Sequence, residues 1–347
     1  MRVSQMDMMH SNRDLTADVA IIGAGPVGLF AVFELGMLKI TSVVIDTLPA
    51  VGGQCTALYP EKPIYDIPGF PSVDAADLIT NLEQQAAPFA PQYILGEQVV
   101  QCSKRETGDW LLVTNKGTRI TAKAIIIAAG CGAFGPNRPP LKGIEAYEAT
   151  SVHYMVSRRE DFRGKNIVIA GGGDSAVDWA VSLAELANKI YVVHRRDKFR
   201  AAPEMVDKMH ALTASGKIEM VVPYQLEGLE GAHGKLSAVI VKNMDGSLRT
   251  LPAEHLLAFF GLSMELGPIA NWGLGLTGNH IAVTRGTMAT NVAGIFAIGD
   301  IATYEHKLKL ILCGFAEAAE AAHAIREIVY PGVAYHFEYS TTKGVAA

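Results

Sequence analysis

Two stretches decide the fold: Asp18-Val19-Ala20-Ile21-Ile22-Gly23-Ala24-Gly25-Pro26-Val27-Gly28, and Asn166-Ile167-Val168-Ile169-Ala170-Gly171-Gly172-Gly173-Asp174-Ser175-Ala176. Each is an apolar run, a glycine turn and the start of a helix-length segment, which reaches Met37 in the first copy and Leu186 in the second. A second apolar run closes each unit: Val43-Val44-Ile45 before Asp46, and Ile190-Tyr191-Val192-Val193 before His194. The copies are offset by 148 positions, and Asp46 and His194 each stand 23 residues after the first glycine of their own turn. A lone glycine-rich turn is weak evidence; one that leaves a strand and opens a helix has the context of a dinucleotide site. Two ordinary βαβ units with convenient glycines are the plainer alternative, and repetition in register disfavours it. In such a turn the first glycine makes the bend, the second admits a pyrophosphate against the backbone, and the third lets helix pack on strand. Ala176 fills the third place in the second copy. Phosphates then meet backbone N–H groups at the positive end of the helix dipole. The expected phosphate-facing residues are Gly23, Gly25, Pro26 and Gly28 in one copy, and Gly171, Gly173, Asp174 and Ser175 in the other.

The copies differ where they should choose a nucleotide. Asp46 accepts hydrogen bonds from a ribose 2′-hydroxyl, as FAD or NAD presents it, and repels a 2′-phosphate. The second copy has His194-Arg195-Arg196-Asp197-Lys198-Phe199-Arg200 at that place, a run of net charge +3 with His194 neutral. Arg195, Arg196 and Arg200 suit charge-assisted bonds to a 2′-phosphate and hence NADP. A solvated basic turn is the alternative; position relative to Gly171 favours the phosphate.

Composition sets the frame. With 347 residues the chain is sized for two domains, and 49% hydrophobic content without periodic glycine makes it globular. A net charge of −5 argues against bulk nucleic-acid binding. The longest uncharged apolar stretch of interest, Val19 to Phe33, is broken by glycines and Pro26 and is shorter than the ~20 residues of a membrane span. Residues 1–15, polar and Met-rich, read as a flexible tail without a secretory signal. Cys55, Cys102, Cys131 and Cys313 contain no CxxC pair and fit neither a zinc site nor a disulfide framework, so a reduced cytoplasmic compartment is expected.

Taken together, these features resemble the two-dinucleotide-binding flavoprotein reductases, and among them the thioredoxin-reductase-like class of ferredoxin–NADP reductases. Beyond the glycine motifs, the resemblance is carried by Gly52-Gly53-Gln54, Leu58-Tyr59-Pro60-Glu61-Lys62, Ile64-Tyr65-Asp66, the His194–Phe199 run, Ile298-Gly299-Asp300 and Ser340-Thr341-Thr342-Lys343. It spans Asp18 to Lys343 and implies an α/β fold of two Rossmann-like three-layer domains, the NADP-binding one inserted into the FAD-binding one. The implied boundaries are 16–130 and 262–347 for the FAD-binding domain, with a C-terminal lid over the flavin, and 131–261 for the NADP-binding domain. The residues support these joints independently. Ala124-Ile125-Ile126-Ile127-Ala128-Ala129-Gly130 and Leu256-Leu257-Ala258-Phe259-Phe260-Gly261 both read as buried strands that exit into Pro- or Gly-containing loops.

The resemblance also assigns roles. It makes Asp46 the FAD ribose ligand, Gln54 a flavin or pyrophosphate contact, and Val99 (or its neighbour Val100) an adenine-side backbone contact. Phe134 lines the cofactor, Asp300 holds the ribityl or pyrophosphate arm, and a helix over about 311–328 points its N-terminus at the flavin. Tyr59 stacks on one face of the isoalloxazine. Tyr339, next to Thr341, covers the other, with ordinary packing as its alternative. No residue is nominated as a general acid or base, because hydride transfer needs none.

Missing cysteines point to the partner. A disulfide reductase needs a dithiol beside its flavin. Here no cysteine occurs between Cys131 and Cys313, and the residue five after Cys55 is Pro60. The resemblance therefore implies electron exchange between NADP(H) and ferredoxin or flavodoxin, by a homodimer. Arg158, Arg159, Arg163, Lys165, Lys307 and Lys309 are candidates for docking an acidic partner. A thioredoxin-type disulfide reductase and a non-enzymatic flavin-binding redox sensor are the rival readings.

Overall fold

The structure, a computed structural model, describes residues 13–148 and 150–334. The chain divides into two compact units, residues 1–133 with 264–347, and residues 134–263.

The discontinuous unit begins with β1 (Asp14–Ile22), α1 (Pro26–Met37) and β2 (Ser42–Asp46), the βαβ order of the first glycine motif. It continues through α2 (Ala75–Ala86), β3 (Gln92–Leu95), β4 (Val99–Lys104), β5 (Trp110–Thr114) and β6 (Arg119–Ile127). These strands lie in the order β3-β2-β1-β6-β5-β4. The β3-β2-β1-β6 part is parallel, and β6-β5-β4 is an antiparallel extension. Parallel strands covered on both faces need near-continuous apolar runs, and Val19–Ile22, Val43–Ile45 and Ala124–Ile127 supply them, all buried. The first strand starts at Asp14, so the tail expected over residues 1–15 ends sooner. Asp14 pairs with Arg119 and the register holds to Ile22 opposite Ile127, so β6 draws the polar start of β1 into the ladder.

The continuous unit holds β7 (Val152–His153), β8 (Asn166–Ala170), α3 (Asp174–Leu183), β9 (Lys189–Val193), α4 (Pro203–Ala214) and β10 (Ile218–Val221). An antiparallel meander follows, β11 (Tyr224–Ala232), β12 (Lys235–Asn243) and β13 (Leu248–Pro252), and then β14 (His255–Ala258). The parallel sheet runs β7-β14-β8-β9-β10, a second nucleotide-fold sheet with the glycine turn leaving its central strand.

Back in the first unit, β15 (Ile295–Ala297) adds to β6 in parallel, and α5 (Ile311–Val329) packs against α1. The strand stops at Ala297, and Asp300 sits in a 3-10 turn, Gly299–Ile301. The turn forms where Gly299 takes a φ of +73°, a left-handed conformation that ends an L-residue ladder.

Candidate dinucleotide sites

At the end of β1 the backbone reverses at Gly23, whose φ is +113°. A Cβ there would lie 2.3 Å from the Ala128 carbonyl oxygen, and one on Gly28 would lie 2.0 Å from the Gly23 carbonyl oxygen. These glycines are demanded by the fold: the turn presses against the end of β6, and the helix presses on the turn. Gly25 is different. Its φ is an ordinary −71°, and a Cβ on it would meet nothing within 4 Å. The protein itself gives no reason for glycine there, so the reason lies in what approaches from outside. Gly25 is also the N-cap of α1, with no side chain capping the helix, and Pro26 opens the first turn. That leaves first-turn N–H groups of the helix for an anion.

Around this turn the expected residues gather. Asp46 ends β2, and its two carboxylate oxygens accept the Ala24 N–H (2.7 Å) and the Leu48 N–H (2.8 Å). The side chain assigned to ribose thus also locks the glycine turn, and each oxygen keeps a lone pair for a hydroxyl. The Asp46 carbonyl accepts the Glu97 N–H at 3.0 Å, which brings the segment leading to Val99 alongside; the Val99 side chain itself is buried in the core. The loop carrying Gln54 rests on the turn as well: the Gly52 N–H donates to the Ala24 carbonyl at 2.8 Å, and Gly53 abuts Gly25. The Gln54 side chain reaches Gly130 and Cys131 at the exit of β6. Tyr59 lies 3.9 Å from the Cys55 thiol through its hydroxyl, and the charge of Asp300 is felt by Tyr59, Cys55 and Cys131 alike. Burial pushes the Cys55 thiol up to about 11 and also raises Cys131, so neither is poised as a thiolate.

Phe134 falls on the short strand Ala133–Pro136, with its side chain outside the described residues. Tyr339 and Thr341 lie outside them entirely.

The second turn repeats the logic within the other unit. A Cβ on Gly171 would come 2.7 Å from the Phe259 carbonyl oxygen, and one on Gly172 would enter the His194 imidazole at 2.2 Å. Gly173, the N-cap of α3, has open space where its Cβ would be and no side chain capping the helix. The basic run is sewn to this turn. Arg200 N–H donates to the Gly172 carbonyl at 2.6 Å, and the Asp174 carboxylate accepts the Ala202 N–H at 3.0 Å. Phe199 is buried against the rings of His194 and His210. Through this bond the Asp174 carboxylate holds the loop of the arginines, and both Asp174 and Ser175 are exposed in the helix's first turn. Arg195, Arg196 and Arg200 are all exposed, and among the described residues no ion pair engages them.

The other basic residues singled out for docking do not form a free positive patch. Arg158 pairs with Asp161 (3.7 Å), Arg159 with Glu185 (3.6 Å), Arg163 with Glu160 (2.7 Å) and Lys165 with Glu254 (2.8 Å). Lys307 is buried against Glu317. Lys309 contacts the His280 ring at 2.7 Å. Acids at i±3 or farther along the chain thus pair with five of these six cations.

A family model described as pyridine nucleotide-disulphide oxidoreductase matches residues 17–325. The chain is 61% identical over 328 residues to the ferredoxin–NADP reductase of Paramagnetospirillum magneticum, covering 94% of this chain and 97% of the relative. It is 56% identical over 340 residues to that of Rhodospirillum rubrum, covering 97% and 99%. Among solved structures, thioredoxin reductase from T. acidophilum has a TM-score of 0.79 at 22% identity, covering 90% of this chain and 98% of that one. The Lactococcus lactis thioredoxin reductase (FR conformation) has a TM-score of 0.78 at 24% identity, with 90% and 99% covered. These two show the fold. Glycine turns of the nucleotide-binding kind in both units, a family match over most of the chain and near-full-length relatives lead to one assignment: the chain belongs to the pyridine nucleotide-disulphide oxidoreductase family, among its ferredoxin–NADP reductases.

Proposed function

We propose that this protein exchanges electrons between NADP(H) and ferredoxin, with FAD held by the discontinuous unit and NADP(H) by the continuous one. The observation that carries the reading is the pair Gly25 and Gly173. Both have ordinary φ, both cap a helix start, and both face open space where a side chain would point. Two such cradles in one chain fit two pyrophosphates. When bound, FAD supplies hydride acceptance from the nicotinamide and one-electron donation to the partner.

The chain's residues position and select. Asp46 and the α1 N-terminus suit a nucleotide with a free 2′-hydroxyl, whereas Arg195, Arg196 and Arg200 suit one with a 2′-phosphate. Tyr59, held near Cys55, offers an aromatic face for the flavin, and Asp300 a carboxylate for hydroxyls of the cofactor arm. No side chain is asked to move a proton during hydride transfer. A disulfide reductase is the weaker reading because burial keeps Cys55 and Cys131 protonated, and thiol–disulfide exchange starts from a thiolate. Flavodoxin as an alternative acceptor, a homodimer and a cytoplasmic setting belong to the proposal on the strength of the resemblance.

The test is the visible spectrum of the purified protein, followed by NADPH oxidation coupled through ferredoxin to cytochrome c. A protein that retains no flavin, or turns over thioredoxin without ferredoxin, refutes the proposal.

A further inference from the structure

Glu317 is the residue that neither the motifs nor the proposed chemistry uses. It stands on α5 among alanines, 3% exposed, and a buried carboxylate is costly unless several donors meet it. Three do. Its Oε2 accepts the Gly299 N–H at 2.7 Å; its Oε1 accepts the Tyr304 hydroxyl at 2.8 Å and the Lys307 ammonium. The Lys307 side chain is only 4% exposed, so the pair is sealed from water. Burial and the bond to Glu317 raise the Tyr304 phenol, which keeps it a donor. The Lys307 ammonium also lies 5.3 Å from the centre of the Tyr304 ring.

Stability alone is a poor reason for this arrangement, since a buried ion pair is often replaceable by apolar side chains at no loss. Its position is a better one. All three donors belong to the segment that leaves β15, turns at Gly299-Asp300 and returns as α5. Glu317, one and a half turns into that helix, ties the helix back to the amide immediately before Asp300. We propose that Glu317, secured by Lys307 and Tyr304, is a positioning residue that holds Asp300 at the cofactor arm and so sets how tightly FAD is retained. The inference rests on the flavoprotein reading above and adds a residue to it.

The experiment is a double-mutant cycle on the holoenzyme, with FAD dissociation read from free-flavin fluorescence on dilution. Glu317→Gln places an amide N–H where either the Gly299 donor or the Lys307 and Tyr304 donors need an acceptor. It is expected to raise the FAD Kd about 10-fold, equivalent to about 1.4 kcal/mol. Asp300→Asn raises it too, and the double variant is expected to be little worse than the weaker-binding single, because both changes remove one function. Multiplying effects, or an unchanged Kd in Glu317→Gln, overturn the proposal. If Glu317→Gln does not fold, Glu317→Leu with Lys307→Met removes both charges together. That variant is expected to keep wild-type far-UV circular dichroism and still release FAD about 10-fold more readily; wild-type retention overturns the proposal. A wild-type protein without flavin overturns the flavoprotein reading itself, which separates the two failures.

Discussion

Replacing Gly314 by alanine sets two effects of opposite sign against each other. Gly314 lies in the first turn of α5, and glycine inside a helix costs about 1 kcal/mol relative to alanine. On propensity alone the substitution stabilises. The new Cβ, however, would stand 2.3 Å from Val27 Cγ2 and 3.2 Å from Cγ1, whereas carbon atoms rest ~3.5–4.0 Å apart. A separation of more than 1 Å is therefore needed. Val27 cannot easily provide it: it is β-branched, stiff at χ1, and fixed between Pro26 and the fully packed Gly28 in the first turn of α1. Overpacking of this kind costs about 1–3 kcal/mol, and the deficit of over an ångström puts it toward the upper end. The net expectation is destabilisation by about 1–2 kcal/mol, a fall in Tm of roughly 2–8 °C for a unit of this size. Because Val27 also sits inside the Gly25–Gly28 cradle, flavin should be shed earlier. Thermal melts followed in parallel by far-UV circular dichroism and free-flavin fluorescence measure both. Val27→Ala removes both clashing methyls, so Gly314→Ala in that background should recover the helix-propensity gain. Gly314→Ala that raises Tm by itself, or that behaves the same with and without Val27→Ala, refutes the reasoning.

Removing the charges of Arg195 and Arg196 together should lower kcat/KM for NADPH about 10²- to 10⁴-fold while leaving NADH turnover unchanged, since each lost bond to a phosphate is worth about 1.5–3 kcal/mol. Equal losses with both nucleotides would mean a structural role. Asp174→Ala frees the Ala202 amide and should raise KM for NADPH several-fold, again sparing NADH; unchanged NADPH kinetics would show that the loop needs no such anchor. His153 and His255 face each other at 3.0 Å on β7 and β14, and burial, reinforced by the neighbouring His255, pulls His153 down to about 4. Its unfolded-state value is about 6.5, so the unfolded chain binds the extra proton first. Stability of the continuous unit should be full well above about pH 6.5 and fall by about 3 kcal/mol towards pH 4. Denaturant midpoints across that range test it, and His153→Phe should flatten the slope.

The signals legible in the sequence were all local. A glycine turn, the strand before it and the helix after it are contiguous, so Gly23–Gly28 and Gly171–Ala176 announced themselves. The 23-residue spacing to Asp46 and to His194 is set by the length of one βαβ unit, and both residues arrived beside their turns. The helix expected over 311–328 formed as Ile311–Val329 because its apolar pattern was uninterrupted. What local pattern could not say was which charges would be cancelled. Arg159, Lys165 and Lys307 looked alike as cations; each found its acid farther along the chain, Lys165 some 89 residues away in Glu254.

By itself, then, the sequence determined the two nucleotide-fold units, the glycines that make their turns, and the opposite charge at the end of the second strand in each. Only the tertiary structure decided that Asp174 serves the arginine loop, that Glu317 lies beneath Asp300, and that Gly314 is required by Val27 on another helix. The physical reason is separation along the chain. A turn's chemistry is settled within a few residues, but a buried carboxylate or a close helix contact has meaning only once its distant partner is in place.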